Sequence, residues 1–192
     1  SHYSYPFAFF YNNEEYLLPE VASHSAQYFY PISRGHGSKK ILKGLENHRI
    51  VDATLYRHEG CWYLFFGMNH DAHTVLNLWI SDSLSSTFSP HPSSPICINP
   101  SSARMGGSLI FCEGSFYRLG QNNEGEYGES LTILKILEMT PEKYREVQSG
   151  TISMTDAKGP HSLNFNVDHA KIVIDYYEDK FSLFSGYRRI KA

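Results

Sequence analysis

Cysteine is scarce: 192 residues contain three, at 61, 97 and 112, and no two stand in a Cys-x-x-Cys pair. An odd count leaves at least one thiol free, which fits a reducing, cytoplasmic setting rather than a disulfide framework. Charge is also sparse, at 19% of residues, and the net value is −3 with ten histidines neutral. That balance disfavours broad attraction to nucleic acid or an anionic membrane surface. The basic pairs Lys39-Lys40 and Arg188-Arg189 read as solvated turn and tail. No apolar run reaches transmembrane length and no signal peptide is visible, although Ser1-His2 need not be a native start. The phosphate-loop pattern GxxxxGK[ST] and the GxSxG nucleophile elbow are missing, and Gly35-His36-Gly37 is too short to stand in for either. The expectation is therefore no nucleic-acid partner, no membrane span and no cofactor.

What the chain has in excess is aromatic residues, 15% of the total, with 14 Tyr and 12 Phe. Aromatics favour strands, and their flat apolar faces with polar tips suit sugar stacking. They also fall in register. Phe7–Leu18, Ala53–Phe66, Ser108–Leu119 and Lys171–Phe184 each read as an apolar run, a polar turn and an aromatic-rich run. The turns centre on Asn12-Asn13, Glu59-Gly60, Glu113-Gly114 and Glu178-Asp179, and Asn and Gly tolerate the positive φ of tight hairpins. An aromatic follows each turn: Tyr16, Trp62, Phe116 and Phe181.

A second strand pair follows each of the first three hairpins: Ala26–Ile32 with Lys40–Leu45, Leu76–Ser81 with Ile96–Asn99, and Ser130–Leu137 with a short piece at Tyr144–Val147. Four strands per unit, repeating at roughly 40–50 residues with insertions, is the pattern of a propeller blade. Pro141–Gln148 is the one stretch suited to a helical turn, with Thr140 as its cap. Ser83–Ser94 and Ser149–Gly159 read as loops. The expected fold is all-β, a single β-propeller domain over residues 1–192 amounting to about three and a half blades, with the fourth unit incomplete. A β-sandwich is the alternative.

The residues carry a resemblance. Tyr16-Leu17-Leu18-Pro19-Glu20, Val51-Asp52-Ala53-Thr54-Leu55-Tyr56 with Trp62-Tyr63-Leu64-Phe65, and Leu78-Trp79-Ile80-Ser81-Asp82-Ser83-Leu84 resemble successive blade motifs of the arabinanase–levansucrase–invertase superfamily. The likeness runs on through His91-Pro92, Ala103-Arg104-Met105-Gly106-Gly107 and Tyr117-Arg118-Leu119-Gly120-Gln121. It is nearer still to the propeller fused to glycan-biosynthesis transferases, the glucosamine inositolphosphorylceramide transferase N-terminal type. The resemblance implies a five-bladed propeller with a sugar pocket on its axis. It places Asp52 where the hydrolases carry a pKa-modulating Asp. The third-blade acid position reads Arg104-Met105-Gly106-Gly107, and the first-blade position near Tyr5-Pro6 has no Asp, so the superfamily's three-carboxylate set is incomplete.

Glycoside hydrolysis needs a carboxyl pair, one as acid and one as base or nucleophile. Glu20 and Asp52 are the available pair near strand ends, and a catalytic, a ligand-contacting and a purely structural role all stay open. Arg104, Arg118, Gln121 and Tyr127 form a second constellation. Arg offers a planar fork for hydroxyls or anions, and Gln donates and accepts, so a sugar or nucleotide sugar is the expected ligand. Trp62 is expected to stack on it, and His161 to reach the axis. Arg118 is equally readable as one half of an ion pair with Glu124 or Glu126. His70-Asp71-Ala72-His73 offers metal ligands without a partner cluster, so no metal is expected. The leading expectation is a carbohydrate-binding propeller acting in glycan biosynthesis beside a transferase domain or protein. An active glycoside hydrolase or transglycosidase using Glu20 and Asp52, and a protein-interaction scaffold, are the alternatives.

Overall fold

The structure, a computed structural model, describes residues 4–21, 24–34, 38–125, 128–155, 157–166 and 171–177. Three antiparallel sheets follow one another along the chain. The first holds β1 (Ser4–Tyr11), β2 (Glu14–Glu20), β3 (Gln27–Pro31) and β4 (Lys40–Leu42) in sequence order. The second holds β5 (Ile50–His58), β6 (Cys61–Met68), β7 (Val75–Ser81) and β8 (Ser89–Pro90), and β9 (Cys97–Ile98) also pairs with β7. The third holds β10 (Ile110–Cys112), β11 (Ser115–Asn122), β12 (Ser130–Met139) and β13 (Tyr144–Ile152). A hairpin of β14 (Lys158–Asn166) and β15 (Lys171–Tyr177) begins a fourth unit. Four-stranded meanders repeated along the chain are propeller blades.

The hairpin turns are built as their residues dictate. Asn12 and Asn13, Glu59 and Gly60, and Glu113 and Gly114 all have positive φ, between 47° and 84°, the geometry of a two-residue turn that follows the strand twist. Glu carries a Cβ and a longer side chain that disfavour this region, whereas Asn enters it readily. Glu59→Asn and Glu113→Asn are each expected to raise stability by about 0.5–1 kcal/mol, read as a higher urea midpoint with unchanged slope.

The blades pack face to face, and β6 shows how. Its side chains alternate sides with period two. Trp62, Leu64 and Phe66 enter a core with Phe7, Tyr16, Leu18 and Phe29 of the first blade. Tyr63 and Phe65 enter a second core with Met105, Ile136 and Tyr144 of the third. A central blade is covered on both faces, so β6 is apolar throughout rather than alternating. Leu119, Leu131 and Leu163 join the third blade to β14.

Three local expectations are corrected. The stretch 141–148 is not helical: Thr140 Oγ1 accepts the Lys143 amide at 3.0 Å, closing a tight turn. Tyr144, buried in the inter-blade core, then starts a strand paired to β12 along its length. For the same reason 149–159 is mostly strand, the end of β13 and the start of β14. Finally, Lys171–Tyr177 pairs backwards with Lys158–Asn166, so it is the second strand of its unit and not the first. Its β-branched run is strand-like in either order, and pattern alone did not reveal its partner. The turn at Glu178-Asp179, Phe181 and the Arg188-Arg189 pair lie outside the described residues.

Candidate functional site

The inner strands of the blades share an irregularity at one end. Pairing is interrupted between Ser4 and Phe7, between Val51 and Thr54, and between Lys158 and Ser162. Each interruption contains a residue of positive φ: Tyr5 at 40°, Asp52 at 51° and Gly159 at 115°. In the third blade Gly107, just ahead of β10, has a φ of 133°. Bulges of this kind re-aim side chains at the rims of sheets. Tyr5 and Asp52 carry side chains in a region that costs about 1–3 kcal/mol, and such strain gathers at functional sites.

These ends surround a cavity of about 670 Å³, within the range of small-ligand sites. Tyr5, Glu20, Asp52, Arg104, Gln121 and His161 line it, with Asn164 and Asp175 on the side of the fourth unit. Asp52 is its centre of charge. Its carboxylate pairs with the Arg104 guanidinium, and its backbone amide donates to Glu20 Oε2 at 3.1 Å. Ser4 Oγ donates to the other Glu20 oxygen at 3.1 Å. Burial pushes the Asp52 carboxyl up to about 6 and nearby Glu20 adds to the rise, while Arg104 pulls the other way. Burial disfavours the charged form more than one partly solvated guanidinium restores it.

Tyr5 ties three blades together. Its hydroxyl lies 3.0 Å from Thr54 Oγ1 in the second blade and accepts the Gly107 amide at 3.1 Å in the third. Burial and then the Asp52 charge hold this phenol well above its usual range, so it is neutral. The third-blade position cannot carry a side chain at all: a Cβ on Gly107 would stand 2.0 Å from the Leu163 carbonyl oxygen. Beside it the Gly106 carbonyl accepts the Leu163 amide at 2.8 Å, joining the third and fourth units. Gly107 thus serves close approach of the third and fourth units' backbones.

Gln121, on β11, is almost wholly buried. Its Nε2 donates to the Met105 carbonyl at 2.8 Å, which fixes the amide so that Oε1 is the remaining acceptor, and that atom meets no donor among the described residues. In the fourth unit His161 Nδ1 lies 3.1 Å from Asp175 Oδ2, and Asp175 Oδ1 accepts the Ser162 amide.

Of the residues singled out from sequence, Glu20, Asp52, Arg104, Gln121 and His161 meet at this cavity. Arg118 and Trp62 do not. Arg118 is fully buried behind β11, where its guanidinium forks onto both oxygens of Glu146 and donates to the Ser102 carbonyl at 2.8 Å. Its ion-pair partner is therefore Glu146, brought in by β13, and neither Glu124 nor Glu126. Trp62 packs between the first two blades. Tyr127 lies outside the described residues. The His70–His73 segment places His73 Nδ1 3.5 Å from Arg104 Nη1, and among the described residues no three His, Cys, Asp or Glu side chains gather as metal ligands. Tyr5 was missed as a site residue. Its signal was spacing: Tyr5 and Asp52 each precede the first residue of their turns, Asn12 and Glu59, by the same interval.

Residues 1–181 match the family model described as glucosamine inositolphosphorylceramide transferase 1, N-terminal. The transferase of that name from Oryza sativa subsp. japonica is 35% identical over 154 residues, covering 76% of this chain and 20% of the relative. The one from Arabidopsis thaliana is 34% identical over 170 residues, covering 85% and 22%. The chain thus spans about a fifth of the length of the curated relatives it matches. Among solved structures, an exo-β-1,3-galactanase from Clostridium thermocellum superposes with a TM-score of 0.54 at 13% identity, covering 92% of this chain and 45% of that one, which is a likeness of fold. No helix among the described residues is long and apolar enough to cross a membrane. By its match over residues 1–181, the chain belongs to the family of the N-terminal domain of glucosamine inositolphosphorylceramide transferase 1.

Proposed function

We propose that the axial cavity binds a carbohydrate and that the domain serves glycan biosynthesis by recognising a glycan rather than cleaving one. The observation that carries this reading is the convergence of polar residues from successive blades, the buried Asp52 and Gln121 with the partly buried Arg104, on one cavity of sugar-binding size. Pockets of that kind combine apolar walls with a few placed polar groups. Here Tyr5 and Phe7 supply wall, and the carboxylates, guanidinium and amide supply hydroxyl partners. The relatives are named as transferases and are about four times the length of this chain. The domain would hold a glycan for chemistry carried out elsewhere in such a protein.

Hydrolysis is the second reading, because a buried carboxyl lifted to about 6 suits a general acid. Against it, both Glu20 oxygens accept hydrogen bonds from the chain itself, from Ser4 and the Asp52 amide. Asp52 in turn is engaged by Arg104.

The test is a panel of mono- and oligosaccharides measured by thermal shift, alongside turnover of aryl glycosides. At ten times its Kd a bound sugar stabilises the fold by about 1.4 kcal/mol, which moves Tm by roughly 3–5 °C for a domain of this size. Shifts of that order with no aryl-glycoside release support recognition. Turnover lost in Asp52→Asn would establish hydrolysis instead, and a panel without any shift would leave the scaffold role.

A further inference from the structure

Asp52 sits where the β5–β6 ladder is interrupted, between Val51 and Thr54, so its peptide groups need partners from outside β6. One partner is in the first blade and the other is tied to it. The Asp52 amide donates to Glu20 Oε2 at 3.1 Å. The Asp52 carbonyl accepts Thr54 Oγ1 at 3.3 Å, and Thr54 Oγ1 also lies 3.0 Å from the Tyr5 hydroxyl. A hydroxyl has one proton to give. With the Thr54 proton directed at Asp52, the Tyr5 proton is directed at Thr54, and the Gly107 amide donates into Tyr5 at 3.1 Å. The result is one directed chain, from Gly107 through Tyr5 and Thr54 to the Asp52 carbonyl. Bonds in such a chain polarise and strengthen one another away from water, and Thr54 is 0% exposed.

The chain ends on a residue in an unfavourable conformation. Asp52 has a φ of 51°, which an L-residue leaves for extended backbone unless it is held. Side chains alternate sides along an extended strand, so relaxing the bulge would turn the Asp52 carboxylate away from its pair with Arg104. Thr54 itself carries no charge and meets the main chain of Asp52, not its carboxylate. We infer that Thr54 and Tyr5 are positioning residues of the axial site, their hydroxyls acting in series to hold the bulge that aims the Asp52 carboxylate at Arg104 and the cavity. The effect on ligand affinity rests on the carbohydrate reading above; the effect on Asp52 itself does not.

The test has two readouts on the full chain. The first is the titration of the Asp52 carboxyl, followed by carbon NMR in the wild type, Thr54→Val, Thr54→Ser and Tyr5→Phe. Burial, outweighing Arg104, places it at about 6 in the wild type. Thr54→Val and Tyr5→Phe leave the charges of Glu20 and Arg104 in place. Both are expected to lower the midpoint toward the usual carboxylate range, as the released carboxylate turns to water. Thr54→Ser keeps the hydroxyl and is expected to keep the wild-type midpoint. The second readout is affinity for glucose, galactose, mannose and lactose by calorimetry. Thr54→Val and Tyr5→Phe are each expected to weaken binding by about five- to tenfold, the worth of one hydrogen bond. The double variant is expected to lose no more than either single one, because both break the same chain. A midpoint that stays at its wild-type value in both single variants, or affinity losses that add in the double variant, overturns the inference. If none of the four sugars binds, the carbohydrate reading falls, and the titration still decides whether the hydroxyls position Asp52. Should Thr54→Val fail to fold, Tyr5→Phe carries both readouts, since its ring still packs against both inter-blade cores.

Discussion

Truncating Glu146 to Ala is expected to lower the unfolding free energy by about 3–5 kcal/mol, because it strands the Arg118 guanidinium in the core without a counter-charge. Arg118 is 0% exposed, and among the described residues its fork is otherwise met by the Ser102 carbonyl. Tyr144, whose hydroxyl donates to Glu146 Oε2 at 2.7 Å, loses its acceptor in the same step. Urea unfolding would show a lower midpoint at an unchanged slope. The double change Arg118→Met with Glu146→Leu is expected to recover most of the loss, since an apolar pair of similar volume needs no counter-charge. Glu138→Ala breaks the half-exposed pair with Lys143 at 3.2 Å and is expected to cost less than 1 kcal/mol. Equal losses at Glu146 and Glu138 would refute the burial argument.

Asp52→Asn is expected to weaken glycan binding by about ten- to a hundredfold, the range of one lost hydrogen bond to a charged group. The substitution suits the backbone, because Asn accepts the φ of 51° found there. A loss of binding therefore reports on the carboxylate rather than on a refolded bulge. Its second signature is in stability against pH. Burial raises this carboxyl from 3.8 to about 6, so the folded chain holds the proton more tightly than the unfolded one. The stabilisation from the protonated form is fully present below about pH 4 and is lost as pH rises through about 6. The wild type should decline over that window by an amount on the order of 2–3 kcal/mol that Asp52→Asn does not share. The unpaired Arg104 in the variant adds an offset that is constant with pH, so the difference in slope is the quantity to compare. Parallel pH profiles for the two proteins would rule out a carboxyl lifted by burial.

The fold was largely legible along the chain because blades are local. Every strand but β9 pairs with a neighbour in sequence, so period-two patterning and turn residues such as Asn12-Asn13 and Glu59-Gly60 carry the information. Where a segment could pair in either direction, as at Lys171–Tyr177, local pattern was silent. The unbroken apolar run of β6 announced burial on both faces, without saying which blade each face would meet. The site was legible in part. Asp52, Glu20, Arg104, Gln121 and His161 were marked by residue type near strand ends. The same residue-type argument also marked Arg118 and Trp62, whose side chains point into cores.

By itself the sequence determined the repeated hairpins, the aromatic inter-blade packing and the set of polar residues near the strand ends, because these depend on spacing along one chain. Only the tertiary structure decided which arginine reaches the cavity, that the Tyr5 hydroxyl joins three blades, and that Glu146 rather than Glu124 or Glu126 pairs with Arg118. Those outcomes depend on how separate blades are angled about their axis, and on whether a charge finds its partner before it is buried. Neither quantity is written in the order of the residues.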